Sequence, residues 1–212
     1  MKKQLINLNI NDFLNRVASP EPVPGGGSIS ALYGAIASSL TSMVARLTIG
    51  KPKYADHNDK MEAILTLVNQ AQNDFLNLID KDAQAYEKVF DCFKMPKKTT
   101  EEKELRNQTI QEATLHAAEV PLSIAYKALE LMDHIEFVVV YGNRNAISDA
   151  CIAMMSARNA VLGALLNVRI NLSSLKDKEK AKNLERESLL LELQSIEREK
   201  IIRNKVTKSL QL

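Results

Sequence analysis

Between Glu21 and Arg46 the chain carries no charged residue, and within that stretch Ala31, Ala35, Ser38, Ser42 and Ala45 recur at steps of 4, 3, 4 and 3. A second run repeats the device, with Ala146, Ala150, Ala153, Ala157, Ala160 and Ala164 at steps of 4, 3, 4, 3 and 4. Such spacing gathers each set on one face of an α-helix. Small side chains there let two helix backbones approach at the short end of the usual ~8–10 Å between axes. Two long helices with matching small-residue faces are expected to pack together at the centre of the fold, within a subunit or across a dimer. The uncharged stretch opens with prolines and glycines and is rich in Ser and Thr. It therefore reads as a helix buried in protein rather than in lipid, where about 20 predominantly apolar residues are wanted.

The rest of the chain keeps the helical period. A short helix is expected over about 11–18 with Asn9 or Asn11 as its cap, then helices over about 28–48 and 56–94. Thr99 with Glu102 reads as a capping box opening a fourth helix to about Met132, with Pro121 inside it and expected to kink it. A fifth helix is expected over about 145–172 and a charged sixth over about 176–208. In the sixth, Leu189, Leu193 and Ile196 form a narrow apolar line, flanked by Leu190 and followed by Ile201, and the charges read as a solvated face. Only Phe137–Tyr141 has β character, and one such run between helices cannot make a sheet. The class is all-α: a single-domain bundle of about six helices over 1–212, with long central helices.

Composition narrows the function classes. A formal net charge of +2 gives no overall electrostatic case for nucleic acid. Cys92 and Cys151 are far apart and read as ordinary buried thiols, and His57, His116 and His134 have no ligand spacing, so no metal site is expected. The N-terminal sequence lacks the apolar core of a signal peptide, and a reducing cytoplasm is the default.

Chemistry is sought in four places. Pro22-Val23-Pro24-Gly25-Gly26-Gly27-Ser28 joins a bare backbone loop to a helix start, where unpaired N–H groups and the dipole favour electron-rich groups. Asp82 lies four and seven residues after Leu78 and Phe75 and three before Ala85, so it continues an apolar face. A carboxylate so placed must be paired, or shifted in pKa and available for proton transfer. Asp80, nearer the edge of that face, is the weaker of the two. Gly142-Asn143 precedes the fifth helix and Ser148-Asp149 lies in its first turn; these residues either cap it or face a polar ligand beside the glycine loop. Lys51, Lys53 and Tyr54 follow the second helix, where the dipole alone favours cations.

Taken in order, these segments resemble a known family. The residues are Pro22-x-Pro24-Gly25-Gly26-Gly27-Ser28, Gly50-Lys51-Pro52-Lys53-Tyr54, Leu78-Ile79-Asp80-Lys81-Asp82-Ala83-x-Ala85-Tyr86 and Met95-Pro96-Lys97. They continue with Val120-Pro121-Leu122, Gly142-Asn143, Ser148-Asp149 and Asn167-Val168-Arg169-Ile170-Asn171. The chain resembles, over about 5–178, the cyclodeaminase domain of formiminotransferase-cyclodeaminase and its stand-alone bacterial relatives, some described as methenyltetrahydrofolate cyclohydrolases; 179–212 is the charged C-terminal helix. The resemblance implies an all-helical cytoplasmic homodimer that acts on a tetrahydrofolate derivative as substrate, with no tightly bound cofactor. It implies cyclodeamination of 5-formiminotetrahydrofolate, or alternatively methenyltetrahydrofolate cyclohydrolysis or folate binding without catalysis. A separate enzyme would supply the formiminotransferase activity. By position, Asp82 is expected to be catalytic with Asp149 second. Gly25, Gly26, Gly27, Ser28, Asn143 and Ser148 would hold the substrate, and Lys51 and Lys53 its glutamate tail.

Overall fold

The computed structural model describes residues 4–210, and in them the expected all-α architecture is present, with no strand among the described residues. The six α-helices are α1 (Ile10–Val17), α2 (Gly26–Arg46), α3 (Asn58–Cys92), α4 (Thr100–Tyr141), α5 (Ile147–Leu172) and α6 (Lys178–Leu210). Short 3-10 turns cover Leu5–Asn7, Pro52–His57 and Arg144–Ala146. Asn9 caps α1 by accepting from the Asp12 N–H. Thr99 and Glu102 form the reciprocal capping box that their spacing predicts.

The helix core is built on the two small-residue faces. Every member of both stripes is buried, and α2 packs directly on α5. The two helices run antiparallel. At one end the Asn143 N–H and Nδ2 donate to Thr48 Oγ1 and the Leu47 carbonyl, just past the C-terminus of α2. At the other end the Asn167 amide lies against Gly26, so the last third of α5 covers the beginning of α2. α3 and α4 flank this pair, and α6 lies across α5 and α4. α2 and the Arg144–Leu172 run are long and apolar enough to cross a membrane, yet more than half of each apolar window is buried inside the bundle.

Two helices depart from expectation. α2 begins two residues before the expected start, which draws Gly26 and Gly27 into its first turn. α4 continues past Met132 to Tyr141, so the β-like Phe137–Tyr141 run is its last turns. Burial of Ile135, Val138 and Val139 against the core outweighs the weak strand preference of β-branched residues. α4 also runs unbroken through Pro121.

In α6 the charged side is not uniformly solvated. Glu199 is buried between Arg158 and Arg203, while Arg169 pairs with Glu185 and Glu192, and Arg198 with Asp133 and Glu136. The inward face of α6 is Ser188, Leu191, Ser195, Glu199, Ile202 and Val206. The line of Leu189, Leu193 and Ile196 points to solvent, as do Leu190 and Ile201. This divides the helix energetically. Glu199→Ala leaves two guanidinium groups without their buried partner and should cost about 2 kcal/mol, discounted because both arginines are partly exposed. Leu193→Ala should stay within about 0.5 kcal/mol. Urea denaturation of the two variants measures the difference, and equal losses would mean that the inward face has been misassigned.

Candidate active site

Two of the three consecutive glycines are explained by what approaches them. A Cβ on Gly27 would lie 2.0 Å from Asp82 Oδ1, and one on Gly26 would lie 2.8 Å from Asn167 Nδ2. A Cβ on Gly25 would meet only an ordinary contact, at 3.6 Å from the Pro22 carbonyl. The first turn of α2 is thus gripped by a carboxylate from α3 and an amide from α5. The N-cap residue Gly25 has no side chain to offer the orphan N–H groups of that turn. Asp82 supplies the missing acceptor from another helix, taking a hydrogen bond from the Ser28 backbone N–H and standing 3.0 Å from Ser28 Oγ.

Around this junction lies a cavity of about 210 Å³, lined by Pro22, Val23, Gly25, Gly26, Gly27, Asp82, Tyr86, Ala117, Asn167, Ile170 and Asn171. A larger opening of about 390 Å³ shares Pro22, Val23 and Tyr86 with it and continues past Phe90 toward Arg16 and Lys94. Asp82 therefore sits at the wall of a partly open space that continues along α3. Burial raises its carboxyl pKa above the ordinary value, and the hydrogen bonds from the Ser28 hydroxyl and N–H offset part of that rise.

The Ser28 hydroxyl has one proton and two acceptors, the Ile79 carbonyl and Asp82 Oδ2, each at 3.0 Å. An ionised Asp82 accepts that proton. A neutral Asp82 donates to Ser28 Oγ while Ser28 donates to the Ile79 carbonyl. Both protonation states are satisfied without moving a heavy atom, which is what a proton-transfer group requires.

Asp80 is more deeply buried than its ranking implied, at 9% exposed. Its Oδ1 accepts from the Leu5 N–H at 2.7 Å, tying the N-terminal arm to α3, and it faces a separate space beside Arg16.

The remaining expected residues lie elsewhere. Because α5 runs antiparallel to α2, its first turn stands at the C-terminus of α2. Asn143, Ser148, Asp149, Lys51 and Lys53 are therefore gathered about 30 Å from Gly26, at roughly 1.5 Å per residue along α2. Within one chain they do not face the glycine loop. Asn143 is spent on structure, with Nδ2 on the Leu47 carbonyl and Oδ1 accepting the Asn145 N–H. Lys53 lies over the Tyr54 ring, whose hydroxyl accepts the Arg144 N–H.

Conversely, the residue-by-residue reading of the sequence gives no role to Asn167, Asn171 or Ala117. The available signal was two amides one turn apart near the end of α5. Both buried cysteines are free, as expected.

Asp82 makes stability depend on pH in a defined direction. Its folded-state pKa is above the unfolded value, so the folded protein binds the proton more tightly. That contribution is complete below the unfolded pKa and is lost as pH rises through the folded one. Asp82→Asn cannot titrate. Its melting temperature relative to the parent should therefore rise as pH is raised above the ordinary carboxyl value of about 4. A difference that stays flat, or falls, over that range would contradict the assignment.

Comparison with known proteins places this geometry. The formiminotransferase-cyclodeaminase family model matches residues 9–189. A methenyltetrahydrofolate cyclohydrolase of Methylorubrum extorquens is 38% identical over 183 residues, 84% of this chain and 88% of that protein. The formimidoyltransferase-cyclodeaminase of Mus musculus is 30% identical over 176 residues, which is 83% of this chain but 32% of the mouse protein. The crystal structure of formiminotetrahydrofolate cyclodeaminase from Thermotoga maritima superposes with a TM-score of 0.86 at 28% identity, covering 97% of this chain and 98% of that one. A family match over most of the chain, carried by the fold and by relatives named as folate enzymes, settles the affiliation: this chain belongs to the formiminotransferase-cyclodeaminase family.

Proposed function

We propose that this protein is a formiminotetrahydrofolate cyclodeaminase whose proton-transfer group is Asp82. The observation that carries the reading is a carboxyl held above its ordinary pKa by burial, in a cavity beside the glycine loop, with a hydroxyl partner that serves both its protonation states. In this reaction N10 of 5-formiminotetrahydrofolate attacks the formimino carbon and forms the new C–N bond. The departing nitrogen takes up the N10 proton and the proton of neutral Asp82 as its bond to the formimino carbon breaks. Ammonia leaves, and the carboxylate that remains faces the 5,10-methenyl cation. Its negative charge develops as the positive charge does, in a site partly withdrawn from water.

Methenyltetrahydrofolate cyclohydrolysis is the second reading, favoured by the relative from Methylorubrum extorquens. There the ionised Asp82 would take a proton from water as its oxygen bonds to the same cationic carbon. The two activities share one intermediate and one carboxyl, so the site supports both equally well and the assay must separate them.

A soluble, cytoplasmic homodimer of single-domain chains completes the proposal. Tyr33, Ile36 and Met43 on α2, Leu47 just past its end, and Ile152, Met155, Leu166 and Ile170 on α5 are exposed large apolar residues. Pairing two copies head to tail through these helices would bring Lys51, Lys53, Ser148 and Asp149 of one copy toward the cavity of the other. Asp149 and the lysines would then act as the second carboxylate and the tail contacts. A separately encoded formiminotransferase would supply the substrate.

Methenyltetrahydrofolate absorbance tests the reading. Supplied with 5-formiminotetrahydrofolate, the protein should form the methenyl cation and release ammonia; methenyl hydrolysis above the spontaneous rate with no such formation would instead establish the cyclohydrolase. Activity in neither assay overturns both. Asp82→Asn should lower kcat by about 10²–10⁴ with the fold intact. Gly27→Ala, which displaces the carboxylate, should approach that loss. Ile36→Glu combined with Met155→Glu should shift sedimentation to the monomer; an unchanged dimer would place the interface elsewhere.

A further inference from the structure

The wall of the cavity opposite Asp82 is made by two amides whose orientation is fixed. Asn167 Nδ2 donates to the Gly163 carbonyl at 2.8 Å. Asn171 Nδ2 donates both its hydrogens, to the Asn167 carbonyl at 2.8 Å and to the Ala117 carbonyl at 2.9 Å. The second of these acceptors exists because of Pro121, four residues on, which has no N–H to close the helical bond to Ala117. Only an N–H can serve a carbonyl, so neither amide can turn over without losing its bonds. Their Oδ1 atoms accept no hydrogen bond among the described residues, and both side chains line the cavity. The cavity thus presents two neutral acceptors one helical turn apart on α5, roughly 5–6 Å between Cβ atoms, in addition to the carboxyl of Asp82.

We propose that Asn167 and Asn171 receive the N–H donor edge of a tetrahydropterin ring through their Oδ1 atoms, and so set which end of the folate enters the cavity. The inference rests on the folate reading above and extends it to substrate orientation. A tetrahydropterin carries several N–H donors on one fused ring system, whereas the p-aminobenzoylglutamate end offers a benzene ring, an amide and carboxylates. Fixed acceptors favour the first and leave the carboxylates of the second unmatched. Size agrees. Drug-sized ligands occupy roughly 300–1,000 Å³, so about 210 Å³ takes one ring system rather than a whole folate. The remainder would lie in the adjoining opening, past Tyr86 and Phe90.

Calorimetric binding of tetrahydrofolate, 6-methyltetrahydropterin and p-aminobenzoylglutamate tests this, with melting temperature as a check on folding. Asn167→Leu removes the acceptor at similar volume. It should weaken tetrahydrofolate and 6-methyltetrahydropterin binding about tenfold or more and leave p-aminobenzoylglutamate unchanged. Asn171→Leu, at the second acceptor, should do the same, and an unchanged melting temperature guards against a variant that merely misfolds. Equal pterin binding by the parent and both Leu variants, or a loss as large for p-aminobenzoylglutamate as for the pterin, overturns the assignment while leaving the folate reading in place. A parent protein that binds none of the three probes overturns the folate reading itself, and this inference with it.

Discussion

The contact on which the site depends is the seating of the first turn of α2 between two polar side chains, with the Cβ atoms of Gly26 and Gly27 absent. Helix starts ordinarily satisfy their orphan N–H groups with a capping side chain from the same strand of sequence. Here the cap comes from α3, as the Asp82 carboxyl, and the price of that arrangement is a backbone bare enough to admit it. Asp82 is thereby both a structural acceptor for Ser28 and the group held above its ordinary pKa at a cavity wall. A structural contact and a raised pKa converge on one carboxyl, and the sequence expresses this as consecutive glycines rather than as the acid itself.

The antiparallel packing of α2 on α5 has the opposite effect at large scale. The two alanine and serine faces bring the backbones together, but they send the loops that begin each helix to opposite ends of the bundle. Polar and basic residues at the far end are consequently organised around Asn143, which ties the end of α2 to the start of α5. A single copy of the chain holds two polar centres separated by the length of one helix, joined along the way by a face with exposed Tyr33, Ile36, Met43 and Leu47.

What could be read from the sequence was whatever depends on local spacing. The Thr99–Glu102 box is a three-residue pattern with one geometric solution, and it is present. The small-residue stripes follow from the helical period, and each residue in them is buried. Asp82 was visible because it prolongs an apolar face, a property of its own helix. Relations between helices were not visible in the same way. Periodicity says which face of α5 packs but not which end meets Gly26, and within one chain Asn143 and Asp149 stand at the end of α2 far from the glycine loop. Strand-like Phe137–Tyr141 became helix because burial of Val138 and Val139 decided it. In α6 the line of Leu189, Leu193 and Ile196 faces out, whereas the inward positions include Ser188 and Ser195, which donate to carbonyls of their own helix, and Glu199, which pairs with Arg158 and Arg203.

Pro121 sits in the middle of a 42-residue helix, where its missing hydrogen would ordinarily count as a defect. The carbonyl it leaves open is taken by Asn171, so the gap in one helix becomes a reading of polarity in another. An amide free to rotate would present donor or acceptor according to whatever arrived, and some of the binding energy would go into choosing. Held as it is, Asn171 has made that choice during folding, and a ligand meets a surface whose sign is already written.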